Sequence, residues 1–331
     1  MKNNFILVTG GAGYIGSVLT RKLVEKGYKV RILDSLIYGK QGIEELIDNS
    51  SVEFIKGDIR DEKIVKESIK GIDCIVHLSA IVGEPLCKKI PEAAKQINEL
   101  ATKKLIDLSK LEGVKRFIFS STCSNYGTSD GIANEESDLH FLSLYSECKV
   151  HSEKYILDSK TDNFETCVLR FATAFGLSPR MRFDLLLQEF IRDALVNKEI
   201  ILFGANYWRP LVHVNDISNA CILSINGKTE KISGQVYNVG DDSQNYTKQD
   251  LAKIIQDKIP STKISIVESK KDPRNYQVSF KKIKEQLGFS ITKSAKDGID
   301  EIINEVNNNN LDPQESEFSN MSKLTEKVNV Y

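Results

Sequence analysis

The sequence predicts an α/β fold: a doubly wound parallel sheet followed by a smaller mixed α/β C-terminal domain. Three observations carry this. Short β-branched runs alternate with longer amphipathic stretches through the first half, and that alternation puts the strands in a parallel sheet covered by helices on both faces. A glycine-rich segment, Thr9-Gly10-Gly11-Ala12-Gly13-Tyr14-Ile15-Gly16, joins the first strand directly to the first helix. The rhythm then changes after Arg170. The chain has 331 residues, about two domains at roughly 100–200 residues each. The expected division is 1–170 for the sheet domain, with a return to it around 210–240, 171–306 for the smaller domain, and 307–331 as a loosely held polar tail.

The elements follow in order. Phe5–Thr9 reads as a buried strand. Tyr14–Lys26 has apolar residues at helical spacing (Ile15, Val18, Leu19, Leu23) and stops at Gly27, a residue suited to a helix end. Lys29–Leu33, Val52–Lys56, Cys74–His77, Val114–Ser120 and Glu165–Arg170 read as strands. Gln41–Ile47, Glu62–Ile69, Glu92–Leu111 and Ser143–Asp158 read as helices. In the second half Pro179–Lys198 carries one long helical pattern. Ile200–Val214 reads as extended segments around a loop at Gly204–Pro210, Val236–Val239 as a strand and Lys248–Lys258 as a helix.

Composition narrows the function. Lysine plus arginine (45) nearly cancels aspartate plus glutamate (46), so nothing favours nucleic acid or an anionic membrane as partner. No apolar run approaches the roughly 20 residues of a membrane span. The start of the chain has only a short apolar run, Phe5 to Val8, which is no signal peptide. Six scattered cysteines without a CxxC, and four scattered histidines, give no metal pattern. A reduced, cytoplasmic protein without a metal is expected.

Two motifs carry chemistry. The glycine turn has the context a dinucleotide needs: a strand before, a helix after, and an acidic residue about 20 positions on. That residue is Asp34. Its carboxylate accepts the hydroxyls of an adenosine ribose and repels a 2′-phosphate, which favours NAD over NADP. Asp58, after the third strand, either accepts from the adenine amino group or caps the next helix, where Asp61 is the better cap. The second motif is Tyr145-Ser146-Glu147-Cys148-Lys149. Tyrosine and lysine four apart share one helix face, and a nearby ammonium lowers the tyrosine pKa toward use as a base. Ser120-Ser121-Thr122 ends a strand, where such sheets bind ligands.

Together the turn Thr9 to Gly16, Asp34, Gly57-Asp58, His77-Leu78-Ser79-Ala80, Ser120 to Gly127 and Tyr145 to Lys149 resemble the extended short-chain dehydrogenase/reductases, and within them the nucleotide-sugar epimerase/dehydratase branch. The resemblance covers about residues 5–305 and implies a Rossmann domain with NAD and a sugar-nucleotide domain. It places catalytic roles on Thr122, Tyr145 and Lys149. It places cofactor contacts on Gly10, Gly13, Tyr14, Ile15, Gly16, Asp34, Asp58, Ile59, Leu78, Ala80, Asn98, Ser120 and Ala174, besides Tyr145 and Lys149. Substrate contacts fall on Thr122, Thr173, Arg180, Arg182, Arg209 and Arg274, with Arg209 on the diphosphate.

The departures matter as much. The 4,6-dehydratases of this branch carry Asp-Glu after the catalytic threonine; here stand Cys123 and Ser124, which argues against a dehydratase. The usual asparagine of Leu-Arg-x-x-Asn is Thr173. A late arginine is replaced by Lys270-Lys271-Asp272-Pro273-Arg274, so Arg274 or a lysine takes that role. Val82 to Cys87 and Ser178 to Asp184 resemble a subgroup that includes C4 dehydrogenases of GDP-heptoses. Arg180 and Arg182 suit a diphosphate or sugar hydroxyl, or else an exposed helix-start salt bridge. The reading is an NAD-dependent oxidoreductase at C4 of a nucleoside-diphosphate sugar, a 4-epimerase or a 4-dehydrogenase in surface-polysaccharide or nucleotide-sugar biosynthesis. The alternative is a non-catalytic NAD-binding regulator. The resemblance also implies a homodimer through the helices near Asn98–Leu111 and Tyr145–Lys149, with Leu100, Leu105 and Leu108 facing either the partner or the sheet.

Overall fold

The computed structural model describes residues 5–268 and 273–327. The first half runs β1 (Phe5–Thr9), α1 (Tyr14–Glu25), β2 (Lys29–Asp34), β3 (Val52–Lys56), α2 (Glu62–Ile69), β4 (Cys74–His77), α3 (Glu84–Lys89), α4 (Pro91–Lys95), α5 (Thr102–Glu112), β5 (Arg116–Thr122), β6 (Thr128–Ala133), α6 (Leu144–Asp158) and β7 (Glu165–Phe171). Then come β8 (Thr173–Phe175), α7 (Leu186–Val196), β9 (Glu199–Phe203), β10 (Trp208–His213), α8 (Val214–Asn226), α9 (Thr229–Ile232) and β11 (Gln235–Val239). The chain continues through β12 (Asn245–Thr247), α10 (Lys248–Lys258), β13 (Lys263–Val267), β14 (Asn275–Val278), α11 (Lys281–Leu287), α12 (Ala295–Asn307) and α13 (Asn320–Lys327).

Seven strands form one parallel sheet in the order β11-β7-β5-β4-β1-β2-β3. The order reverses between β1 and β4, and the crevice beyond the strand ends there is where such sheets take ligands. Period-two alternation splits each strand between two cores. Ile6 and Val8 of β1 join Leu19 and Leu23 of α1 and Ile217 of α8. Leu7 joins Val65 of α2, Leu105 of α5 and Ile156 of α6. A third core gathers Leu187 and Ile191 of α7 with Leu202, Leu251, Ile255 and Ile299, beside three short sheets, β12-β10-β8, β13-β9 and β14-β6. No described helix is long and apolar enough to cross a membrane.

Four expectations need correction. Gln41–Leu46 is a 3₁₀ turn rather than an α-helix. The helix expected over Glu92–Leu111 begins at Pro91 and passes through a π segment, Gln96–Ala101, between α4 and α5. The pattern over Pro179–Lys198 is helical only in α7. Ahead of it the Phe183 N–H donates to the Phe318 carbonyl at 2.8 Å, and Arg180 turns back onto the Met181 carbonyl at 2.5 Å, which takes that backbone out of a helical ladder. The loosely held tail is also corrected over its described part. Leu324 is fully buried in the core that also holds Leu7, Leu86 and Ile59, and Asn320 is buried as well.

The helix α6 is tied to the sheet by a buried ion pair. Arg170 of β7 reaches Glu153 of α6 at 2.7 Å, with exposures of 6% and 3%. Ser121 of β5 and Asn125 also donate to the Glu153 carboxylate. Glu153→Ala strands a buried guanidinium and is expected to lower unfolding free energy by about 3–5 kcal/mol, read from urea unfolding curves.

Candidate active site

The turn between β1 and α1 has no room for side chains. Gly10 has φ +72°, and a Cβ on Gly16 would lie 2.2 Å from the Gly10 carbonyl oxygen. α1 follows Gly13, which offers no side-chain cap, and has no acidic residue in its first turn, which leaves its N-terminal donors to an anion. Asp34 ends β2; its carboxylate accepts from the Ala12 N–H at 3.0 Å and the Leu36 N–H at 2.8 Å. Burial still holds its pKa above the ordinary value. Asp58 carries a bidentate Arg60 at 3.0 and 2.6 Å, while Asp61 caps α2. Against the upward push of its own burial, the bonds from Arg60 bring the Asp58 pKa below the usual range.

A cleft of about 390 Å³ opens at these strand ends. It brings together the sequence-predicted residues Gly10, Gly13, Tyr14, Ile15, Gly16, Asp34, Asp58, Ile59, Leu78, Ala80, Ser120, Thr122, Tyr145, Lys149, Thr173, Ala174, Arg180, Arg182, Arg209 and Arg274. Asn98 is the exception. It sits in the π segment, its amide accepts from the Ile81 N–H at 2.7 Å and donates to the Ile81 carbonyl at 2.8 Å, and it does not line the cleft. Those two bonds hold the loop after β4 at Ile81, the neighbour of the cleft residue Ala80.

Ser143 caps α6, Tyr145 stands in its first turn and Lys149 in its second. Lys149 is 2% exposed. It donates to the Ser120 carbonyl at 2.7 Å, and its Nζ lies 4.5 Å from the Phe119 ring centre and 5.9 Å from that of Tyr145. Burial pulls its pKa down to about 8, with Glu153 opposing. Tyr145 goes the other way from the expectation that Lys149 would lower it. Desolvation pushes its hydroxyl well above the usual value and Cys87 adds to this, while the cations that oppose it are Arg182 and Arg274. Thr122 caps the 3₁₀ turn Cys123–Tyr126, and its Oγ1 shares a hydrogen bond with Ser124 Oγ at 2.8 Å. Cys123 is fully buried, its thiol on the Arg170 carbonyl at 3.2 Å, and its burial raises the thiol pKa. It is no nucleophile.

The arginines divide into two groups. Arg209, on β10, is 3% exposed. It donates to the Arg274 carbonyl at 2.6 Å and lies over the Tyr276 ring at 5.6 Å. Arg182 pairs with Asp184 at 2.8 Å but is 9% exposed, so the alternative of an exposed helix-start bridge does not hold. Arg180 lines the same cleft and is 3% exposed. It lies over Tyr38 at 5.4 Å, close enough to Asp34 to act on its carboxylate, and bonds Asn320 at 3.0 Å. Lys270, Lys271 and Asp272 lie outside the described residues.

Sequence reasoning missed Tyr38, Glu84, Tyr276 and Asn320, all on the cleft. Glu84 Oε2 is buried without a hydrogen-bond partner. Tyr38 had one usable signal, its place four residues after Asp34; Asn320 had none, since its partner is 140 positions away.

A family model described as the NAD dependent epimerase/dehydratase family matches residues 6–240. A putative UDP-glucose 4-epimerase from Methanocaldococcus jannaschii is 29% identical over 313 residues, 92% of this chain and 99% of its own. Among solved structures, a UDP-glucose 4-epimerase from Thermotoga maritima, with UDP-glucose, is 27% identical at TM-score 0.82, covering 93% of this chain and 100% of its own. A dTDP-glucose 4,6-dehydratase from Streptomyces venezuelae, with NAD, is 25% identical at TM-score 0.83, covering 92% and 97%.

Two outcomes follow from this geometry. Gly16→Ala drives a Cβ into the Gly10 carbonyl, so the purified variant is expected to lose NAD binding in titration calorimetry. Lys149 carries its charge below about pH 8 and loses it above. NAD affinity is therefore expected to fall as pH rises through that value, and the same titration on Lys149→Met is expected to show no such inflection.

Proposed function

The chain belongs to the NAD-dependent epimerase/dehydratase family, and we propose that it is a cytoplasmic oxidoreductase acting at C4 of a nucleoside-diphosphate sugar, as a 4-epimerase or a 4-dehydrogenase. The observation that carries this is the meeting of Thr122, Tyr145 and Lys149 on one cleft, between the glycine turn and the Arg209–Arg274 group. The residues fit NAD. The space a Gly16 Cβ would fill, the uncapped start of α1 and the buried Asp34 carboxylate suit a pyrophosphate and a ribose. Gly10, Gly13 and Gly16 with Tyr14 and Ile15 would hold the first, Asp34 the second, and Lys149 the nicotinamide ribose. NAD, when bound, supplies the hydride acceptor.

Tyr145 is placed to take the C4 hydroxyl proton, and Thr122 to hold the same oxygen. Tyr145 is partly buried, and desolvation holds its proton tightly, so it must be made basic at the moment of reaction by the cations around it. Lys149 is on its own helix, with Arg182 and Arg274 opposite. Arg209 and Arg274 suit the diphosphate, since guanidinium forks match phosphate oxygens. Elimination of water has no support at the positions after Thr122, where Cys123 points away and only Ser124 reaches the cleft. The reading includes a homodimer through α4–α5 and α6, with Leu100 at the surface (52% exposed); Leu105 is fully buried against the sheet.

Incubation with a panel of UDP-, GDP-, CDP- and dTDP-sugars, with product analysis, is expected to give a C4 epimer or a 4-keto sugar from one of them. No conversion of any sugar sinks the reading and leaves a non-catalytic NAD-binding protein. Tyr145→Phe is expected to lower turnover by about 10²–10⁴-fold while the variant still binds NAD.

A further inference from the structure

The end of the chain crosses the cleft and is pinned on both sides. On one side Phe318 packs on the core around α7, its ring 6.0 Å from Phe183, and its carbonyl accepts from the Phe183 N–H. On the other side Leu324 is fully buried in the core under the first sheet, and Met321 packs on the same core. Between them Asn320 lines the cleft. Its N–H donates to Asp184 at 3.0 Å and its Oδ1 accepts from Arg180 Nη2 at 3.0 Å. Gln41, just beyond β2, donates to Glu317 at 3.1 Å.

This crossing lies at the end of β2, where Asp34 marks the adenosine ribose. Arg180 is 3% exposed, lies over Tyr38 and lines the cleft. Two of its nitrogens are held by Met181 and Asn320, yet its Nε is buried with no partner. A buried guanidinium donor left open costs free energy unless something fills it, and an oxygen of a dinucleotide beside Asp34 would fill it.

We propose that residues 316–324 are a strap that, together with Arg180, closes the adenosine end of the cleft and retains NAD through turnover. This rests on the C4 reading above and chooses between its two outcomes. Oxidation at C4 breaks the C–H bond, sends the electron pair as hydride to NAD and the hydroxyl proton to Tyr145, and leaves a ketone. A 4-dehydrogenase must then exchange the reduced dinucleotide for an oxidised one in every cycle. Under a closed strap that exchange is slow, so the ketone stays in the cleft, turns its opposite face to the reduced dinucleotide, and there takes the electron pair back on the same carbon and the proton on the same oxygen. The net reaction is redox-neutral, a 4-epimerisation.

The test is a chase. Protein loaded with radiolabelled NAD is diluted into excess unlabelled NAD, and label release is timed for the full chain, for a chain ended after Glu315, and for Asn320→Ala. The full chain is expected to keep its label over many turnovers. The two variants are expected to release it about tenfold faster or more, the effect of losing a hydrogen bond to a charged group. Equal release from all three overturns the strap. If circular dichroism shows the shortened chain unfolded, Asn320→Ala alone decides. Release needs no sugar, so a failed sugar panel beside tail-dependent retention removes the C4 reading and leaves the strap. Equal release from a protein that turns over a sugar does the reverse. A 4-keto sugar formed by the full chain with consumption of added NAD overturns the redox-neutral outcome.

Discussion

The buried pair of Arg170 and Glu153 is the constraint on which the site depends. Tyr145, Lys149 and Glu153 are spaced four apart on α6 and form one stripe on the helix. The lower end of that stripe is fixed by the guanidinium of β7, by Ser121 of β5 and by Asn125. Its middle is fixed by Lys149 on the Ser120 carbonyl. A buried ion pair adds little net stability, because desolvation offsets its attraction. What it does is penalise any other register of α6 on the sheet. Tyr145 and Thr122 face one cleft because a helix and two strand ends are locked at their polar contacts, not only at their apolar ones.

Burial then sets the chemistry. It raises Tyr145 and lowers Lys149, in both cases toward the neutral form. Neither is a ready acid–base group on its own. The cations that pull Tyr145 back, Arg182 and Arg274, come from the second half of the chain. The electrostatic setting of Tyr145 is therefore built from both halves, with the tyrosine on a helix of the first and the cations that oppose its desolvation on loops of the second. Sequence spacing pointed to Lys149 as the partner of Tyr145 and could not weigh it against the desolvation of the tyrosine hydroxyl.

What was legible in the sequence was local. The glycine turn, Asp34 and the Tyr145–Lys149 pair are fixed by spacing within one or two adjacent elements, and so was the strand–helix alternation of the first half. What was illegible depended on distant backbone. The helical pattern over 179–198 broke because Phe183 spends its N–H on Phe318. Asn98 looked like a cleft residue by position, but the π segment turns its amide onto Ile81. The segment after 307 reads as a tail because it is polar, yet one asparagine and one leucine are enough to seat it when Arg180, Asp184 and an apolar core await them.

The near-zero net charge conceals a polarised cleft. Two of its carboxylates, Asp34 at the end of β2 and Asp58 after β3, stand at one end with Arg180, while Arg209 and Arg274 stand together on the side of β10 and β14. Arg182 and Asp184 lie within the cleft as a pair. A uniformly basic cleft would attract any polyanion. Segregated charge instead asks for a ligand with hydroxyls at one end and phosphates at the other, and two such ligands laid end to end would bring their reacting carbons to the region between, where Tyr145 and Thr122 stand. The balance of 45 basic against 46 acidic residues is thus compatible with tight anion recognition, because selectivity here comes from where each buried charge is held and not from their sum.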